Sequence, residues 1–266
     1  MSIPIGNTPQ ARAKTQFYKV GGSGFHRIYL YLREVLSVFN NQQRTIKRRH
    51  LKSLREEPQG AQFIDEFYEG QLMDYESRFP SMLLGSSFVS SVSQFENVMK
   101  KLCKRVADLT LQTTKVDSIT QRVLDNCKKE LESLLRQGFH LKNGFDADPE
   151  QRKLWEQVKL HQKLRDYLVH NQGTIRLDHL SSNDDGKTEA LIKYCKANRG
   201  WFQVRKVRKT DALTIRVISL DYIRYYHKLV EEYLMWVISR MPKRKLSKKK
   251  LGQSRSNTQL NVDVFK

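Results

Sequence analysis

The sequence predicts a mainly α-helical protein, and two observations support this fold class. Apolar residues recur at steps of three and four along most of the chain, which is the spacing of helices with one buried face. Only two short segments, residues 201–207 and 213–218, alternate in character as strands do. A helical bundle with a small β-hairpin before the last helix is therefore expected.

The first helix is predicted to begin near Phe25, where the helical spacing starts and then continues into a basic stretch. The residues before it show no periodicity and contain the run Gly21-Gly22-Ser23-Gly24, so residues 1–24 are predicted to be a flexible N-terminal segment. A second, more acidic helix follows, and Pro80 ends this part of the chain. Residues 25–80 are thus predicted to be an N-terminal helical extension.

Residues 81–241 are predicted to form the main helical domain. Its clearest helix runs from about Met82 to Leu109, and another ends near Gly138. A third begins at Pro149 with Asp148 as its cap and continues to His170. After the hairpin and the last helix, residues 242–266 are rich in Lys and Arg and then turn polar, which predicts a disordered basic tail.

The composition narrows the classes of function. The formal net charge of +20 favours contact with polyanions, of which nucleic acid is the most abundant. No apolar run is long enough to cross a membrane, and three widely spaced cysteines provide neither a disulfide framework nor a metal site. We therefore expect a cytoplasmic protein with no membrane partner, no metal and no cofactor.

One short segment at the predicted helix end has residues suited to phosphoryl chemistry. Arg165 and Asp166 are followed by His170, five positions after the arginine. Cleavage of RNA by its own 2′-hydroxyl needs a group of near-neutral pKa to move protons and a fixed cation to stabilise the charged phosphorane. His170 and Arg165 supply one of each, whereas phosphate-loop, nucleophile-elbow and zinc-helix motifs are missing from the sequence.

With this motif and its helix order, the region from about Met82 to Met241 resembles the HEPN superfamily, in particular its bacterial toxin and phage-defence branches. The resemblance implies an HEPN-like bundle that dimerises and cuts RNA without metal, leaving a 2′,3′-cyclic phosphate. It assigns catalysis to Arg165, Asp166 and His170. The residue after the arginine is most often Asn in such motifs, and the first eighty residues lie outside the resemblance.

The spacing of the motif leads to a geometric expectation. Five residues on a regular helix rotate by about 140° net, so Arg165 and His170 converge only where the helix frays or tightens. Asn171 and Gly173, which suit a left-handed stop, permit that at His170. Asp166 and the helix dipole are expected to raise the pKa of His170. One chain carries a single pair of Arg165 and His170. Catalysis by both a general acid and a general base therefore requires a homodimer that brings both motifs into one cleft.

Three further residues are predicted to support the site. Glu96 lies between apolar positions of its helix and could hold Arg165 by a bidentate contact, or it could be exposed and paired with Lys100. His161, one i to i+4 step before Arg165, is a candidate for the same cleft, and Asn171 for the helix stop. The alternative is that Arg165 and Asp166 form an exposed charge pair and that His170 caps the helix.

The expected function is therefore a metal-independent endoribonuclease with RNA as its substrate and a cognate inhibitor or activating partner. A cluster on the first helix supplies candidate RNA-binding residues, namely Arg44, Lys47, Arg48 and Arg49. A noncatalytic HEPN-like module that binds RNA or a protein partner is the main alternative. A basic DNA-binding helical protein is a weaker one, because no helix-turn-helix spacing is apparent.

Overall fold

The computed structural model describes residues 9–139, 144–177, 186–208 and 210–241. The first eight residues of the predicted flexible segment and the predicted basic tail, residues 242–266, lie outside this described part. Within it the fold is mainly α with a small antiparallel sheet before the last helix, which confirms the predicted fold class. No helix among the described residues is long and apolar enough to span a membrane.

The first half of the chain is almost wholly helical. Its four helices in order are α1 (Pro9–Phe17), α2 (Ser23–Glu56), α3 (Ala61–Met73) and α4 (Phe79–Thr110). A π-helical turn joins α1 to α2, and a second one joins α3 to α4.

The second half adds four helices and three strands. They are α5 (Val123–Phe139), α6 (Pro149–His170), β1 (Thr174–Arg176), α7 (Lys187–Ala197), β2 (Phe202–Lys206), β3 (Ala212–Val217) and α8 (Leu220–Ser239). The strand order is β1-β3-β2 with both pairs antiparallel. The predicted hairpin is therefore β2–β3, and β1 joins its other edge immediately after α6.

Helix α4 lies at the centre of the core, as its apolar spacing predicts. Phe88 and Phe95 are fully buried on α4, and their rings contact Tyr226 and Tyr233 of α8 edge-on, with centroids 5.1 and 6.2 Å apart. Such edge-to-face pairs are favourable beyond the area that they bury. The helices α2, α5 and α6 also pack on α4, so that it touches most of the fold.

The prediction of a flexible segment is wrong for residues 9–24, which are helical apart from a kink at Gly21, where φ is 112°. Phe17 and Val20 are buried in the same core as α4 and α8, and α1 packs along α8. The glycines that suggested flexibility permit close packing instead, because a Cβ on Gly22 would lie 2.3 Å from the Phe17 ring and one on Gly24 2.4 Å from the Gln94 amide. The N-terminal residues therefore share the core of the main domain.

Candidate functional site

The motif lies at the end of α6, whose start is fixed by its own sequence. Asp148 caps the helix by accepting hydrogen bonds from the backbone amides of Glu150 and Gln151, and Pro149 occupies the first turn. At the other end the Asn171 amide still donates to the Tyr167 carbonyl, at 3.0 Å. This is an ordinary i to i−4 bond, so α6 is regular through His170.

The chain leaves the helix through two residues in the left-handed region. Gln172 has a φ of 51° and Gly173 a φ of 75°, while Asn171 does not adopt this conformation. A Cβ on Gly173 would lie 2.3 Å from the backbone oxygen of Ile215, and the Ile215 amide donates to the Gly173 carbonyl at 2.8 Å. The sheet therefore holds the end of α6 in place, and glycine is required at position 173.

His170 is exposed in the last turn of this helix. The expectation that the helix loosens at His170 is wrong, because hydrogen bonding and helical assignment continue to that residue. On a regular helix Arg165 and His170 project about 140° apart. One copy of the chain consequently presents the two side chains in different directions.

Arg165 is partly buried, with about a quarter of its side chain exposed. Its Nη1 donates to Oδ1 of Asp166 at 2.9 Å. Its Nε is buried and has no hydrogen-bond partner among the described residues. A buried donor without a partner costs free energy, and because Nε is closed to solvent a ligand reaches the guanidinium only at its exposed part.

The Asp166 carboxylate, about half exposed, points to Arg165. The sequence placed Asp166 beside His170 as the group that raises the pKa of the imidazole. Within the part of the chain that the structure describes, Asp166 pairs with Arg165 and forms no ion pair with His170. Asp166 pairs with its neighbour Arg165 because the long arginine side chain reaches the carboxylate without any change in the helix. The predicted interaction is thus replaced by one that neutralises Arg165.

Glu96 of α4 lies near this pair in a half-buried position. Burial raises the pKa of its carboxyl, and the positive charges of Arg165 and Lys100 offset part of that rise. Among the described residues Glu96 forms an ion pair with neither cation, so neither of the two alternative contacts offered by the sequence is present at ion-pair distance. The Glu96 carboxylate on α4 nevertheless interacts electrostatically with Arg165 of the motif.

His161 does not line an exposed cleft, contrary to the sequence-based hypothesis. It is 1% exposed, and its Nδ1 is 2.9 Å from the hydroxyl of Tyr222. Burial lowers the pKa of this imidazole to about 3, so it is neutral at pH 7. Aromatic rings surround it on several sides: those of Phe88, Tyr194, Tyr222, Tyr225 and Tyr226. His161 is therefore part of the core.

The candidate RNA-binding residues lie on the outer part of α2. Arg44, Arg48 and Arg49 are exposed, which a surface for polyanions requires. Lys47 is also exposed, but its ammonium is 2.7 Å from the Glu76 carboxylate. Part of the positive charge of this cluster is consequently neutralised within the chain.

Comparison with known proteins does not indicate a function for this chain. No protein-family model, no curated protein and no solved structure matches this chain. The function is therefore inferred from the residues and their geometry.

The structure also brings together Ser91 and His227, which sequence spacing did not single out. Ser91 Oγ is 2.7 Å from His227 Nε2, the distance of a nucleophile and its base. However, the fully buried Ser91 hydroxyl donates to the Ser87 carbonyl at 2.8 Å, which leaves Nε2 to donate to Oγ. Burial also lowers the pKa of His227 to about 4. The pair is a partly buried link between α4 and α8.

Proposed function

We propose that the protein is a metal-independent endoribonuclease of the toxin or antiphage-defence type, with Arg165 and His170 as its catalytic residues. The observation that carries this function is the guanidinium of Arg165, whose side chain is about a quarter exposed, on the same helix end as the exposed His170. The guanidinium is suited to bind a phosphate oxygen, and the imidazole of His170 is suited to transfer a proton. The basic charge of the chain favours RNA as the polyanion.

The reaction follows from these two side chains. A 2′-hydroxyl of the RNA loses its proton to an imidazole and attacks the adjacent phosphorus, while the bond to the 5′-oxygen breaks and that oxygen receives a proton. The products are a 2′,3′-cyclic phosphate and a free 5′-hydroxyl. The guanidinium stabilises the negative charge on the non-bridging oxygens of the phosphorane.

A complete site in this proposal requires two copies of the chain. On the regular end of α6 the arginine and histidine of one copy project about 140° apart. In a two-fold dimer, Arg165 of one copy can face His170 of the other, so that each of two equivalent sites holds one guanidinium and one imidazole, which takes the proton and then returns it. The site is therefore assigned to a homodimer.

Asp166 restrains Arg165 in this scheme. Phosphate must compete with the Asp166 carboxylate for the guanidinium, because their ion pair is already formed in the free protein. Glu96 places a further carboxylate near the same cation. An inhibitor or an activating partner could regulate cleavage through this contact, by strengthening or releasing it.

The test is cleavage of a labelled RNA by the purified full-length protein in EDTA. Wild type is expected to cleave it, and both His170→Ala and Arg165→Ala are expected to lose activity by at least about 100-fold while remaining folded by circular dichroism. Arg199→Ala removes an exposed arginine outside the motif and serves as the matched charge control. A 2′-deoxy substitution at the cleaved nucleotide should block the reaction, and undiminished cleavage by either motif variant would refute the assignment.

A noncatalytic module that binds RNA or a protein is the second candidate. The ion pair between Arg165 and Asp166 and the regular helix through His170 favour it, since neither arrangement is poised for catalysis in one copy. Under this alternative the wild-type protein leaves RNA intact at every concentration and binds it with the same affinity as His170→Ala. A filter-binding titration beside the cleavage assay separates the two functions.

A further inference from the structure

The outer part of α2, residues 40–56, and α3 form a two-helix arm. His50 Nε2 is 2.6 Å from Asp65 Oδ1, and the hydroxyls of Ser53 and Tyr68 are 3.3 Å apart. Ile46 and Ile64 are buried in the arm but do not belong to the main core cluster. The arm is thus held together by its own contacts.

A basic row follows the outer part of α2. Its members are spaced by four, three and four residues, which places them on one stripe of the helix. They are Arg44, Arg48, Leu51 and Arg55, and all four are exposed. Leu51 is 56% exposed, and within the described chain none of the three arginines forms an ion pair. The row therefore has charge and apolar surface available for a partner.

An acidic row with the same spacing follows α3. Its members are Gln62, Glu66, Glu69 and Met73, again all exposed. Met73 is 62% exposed, as Leu51 is on the basic row. A groove of about 580 Å³ borders the acidic row and is lined in part by Glu69, Leu72, Met73 and Glu76. The two rows thus resemble each other in spacing and differ in the sign of their charge.

Both rows lie on the same face of the arm. His50 of α2 contacts Asp65 of α3, so these two residues lie on the sides where the helices touch. Leu51 of the basic row directly follows His50, and Glu66 of the acidic row directly follows Asp65. One residue rotates a helix by about 100°. Because α2 and α3 are antiparallel right-handed helices, that rotation turns both rows toward the same side. We call this side the arm face.

We propose that the arm face binds a second copy of the chain. A two-fold axis parallel to the arm places the basic row of each copy over the acidic row of the other, so both charged contacts form twice. The result is a four-helix bundle with Leu51 and Met73 between the paired helices. This interface depends on the arm alone and not on the proposed ribonuclease activity.

Charge complementarity favours a second copy over RNA on this face. A nucleic acid strand along the arginines would lie beside Glu66 and Glu69 on the neighbouring helix, which repel phosphates. A second copy supplies an acidic row for the arginines and a basic row for the carboxylates. It therefore satisfies both halves of the face.

Sedimentation velocity of the full-length protein tests the interface. Wild type is expected to be a dimer whose dissociation constant rises with salt. Arg48→Glu and Glu69→Arg should each weaken dimerisation by at least about tenfold, because each places like charges opposite one another. The double variant, carrying both changes in one chain, should restore the dimer, since the two charges have exchanged places.

Phe63→Glu is the matched control, because Phe63 is 75% exposed on α3 but outside the acidic row. It should leave the dimer intact, and so should His170→Ala, even if the protein cleaves no RNA. A monomeric wild type, dissociation by Phe63→Glu alone, or a double variant no better than its parents would overturn the inference. A loss of RNA affinity in Arg48→Glu with unchanged mass would identify the row as an RNA surface instead.

Discussion

The main core and the arm are both helical, but they place their large apolar residues differently. In the core Phe88 and Tyr226 are fully buried against each other. In the arm Phe63 is 75% exposed and Met73 62% exposed. Burial of apolar surface is the main source of folding free energy. The core therefore determines the stability of the chain, and the arm has surface left for association.

The largest expected effect comes from truncating a core ring. Phe88→Ala should lower the free energy of unfolding by about 3–5 kcal/mol, because it leaves a cavity among rings that cannot fully collapse. The measurement is equilibrium unfolding in urea, followed by circular dichroism.

Phe63→Ala in the arm is the paired control. It should change the free energy of unfolding by no more than about 0.5 kcal/mol, since the ring is largely in water before the change. Similar losses in the two variants would show that the arm also determines stability, and the contrast between the regions would be lost.

A smaller loss of folding stability is expected when the pH is lowered. His161 is buried and His227 partly buried in the body of the protein, and their pKa values are lowered to about 3 and about 4. An unfolded histidine has a pKa of about 6.5, so the unfolded chain binds protons first as the pH falls. Stability is thus complete above pH 6.5 and is lost below it, by on the order of 1–2 kcal/mol per histidine at pH 5.

Unfolding midpoints at pH 7 and pH 5 measure this loss. His161→Gln should lower stability at pH 7 but reduce its dependence on pH, because glutamine does not titrate in this range. An unchanged slope in that variant would indicate that the imidazole is protonated in the folded protein.

The sequence predicts the long helices well because their spacing is unambiguous. The buried stripe of α4 and the Asp148-Pro149 start of α6 are local signals, and both are confirmed. The strand β1 was missed because it is three residues long and depends on pairing with β3, some forty residues later. Such pairing leaves no periodic pattern in so short a segment.

The N-terminal glycines show a different limit of sequence reasoning. A glycine run predicts flexibility when only the backbone is considered. In the fold the Gln94 amide donates to the Gly21 carbonyl at 2.6 Å, and the neighbouring glycines make room for side chains. Tertiary contacts of this kind cannot be read from the local composition.

For the candidate site, the sequence located the motif at the helix end but not the orientations of its side chains. His170 lies in the last turn, as expected, whereas the helix remains regular and Asp166 contacts Arg165. His161 was a plausible cleft residue by its spacing, yet the rings around it come from elements distant in sequence. These orientations depend on packing between helices.

Subunit mixing tests the composite site most directly. Arg165→Ala and His170→Ala should each be inactive on RNA, while a mixed dimer contains one site with an intact Arg165 from one copy and an intact His170 from the other. After random exchange in a 1:1 mixture, cleavage should recover to about a quarter of the wild-type rate, since half of the dimers are mixed and each has one intact site. No recovery in a mixture shown to contain mixed dimers would contradict the account.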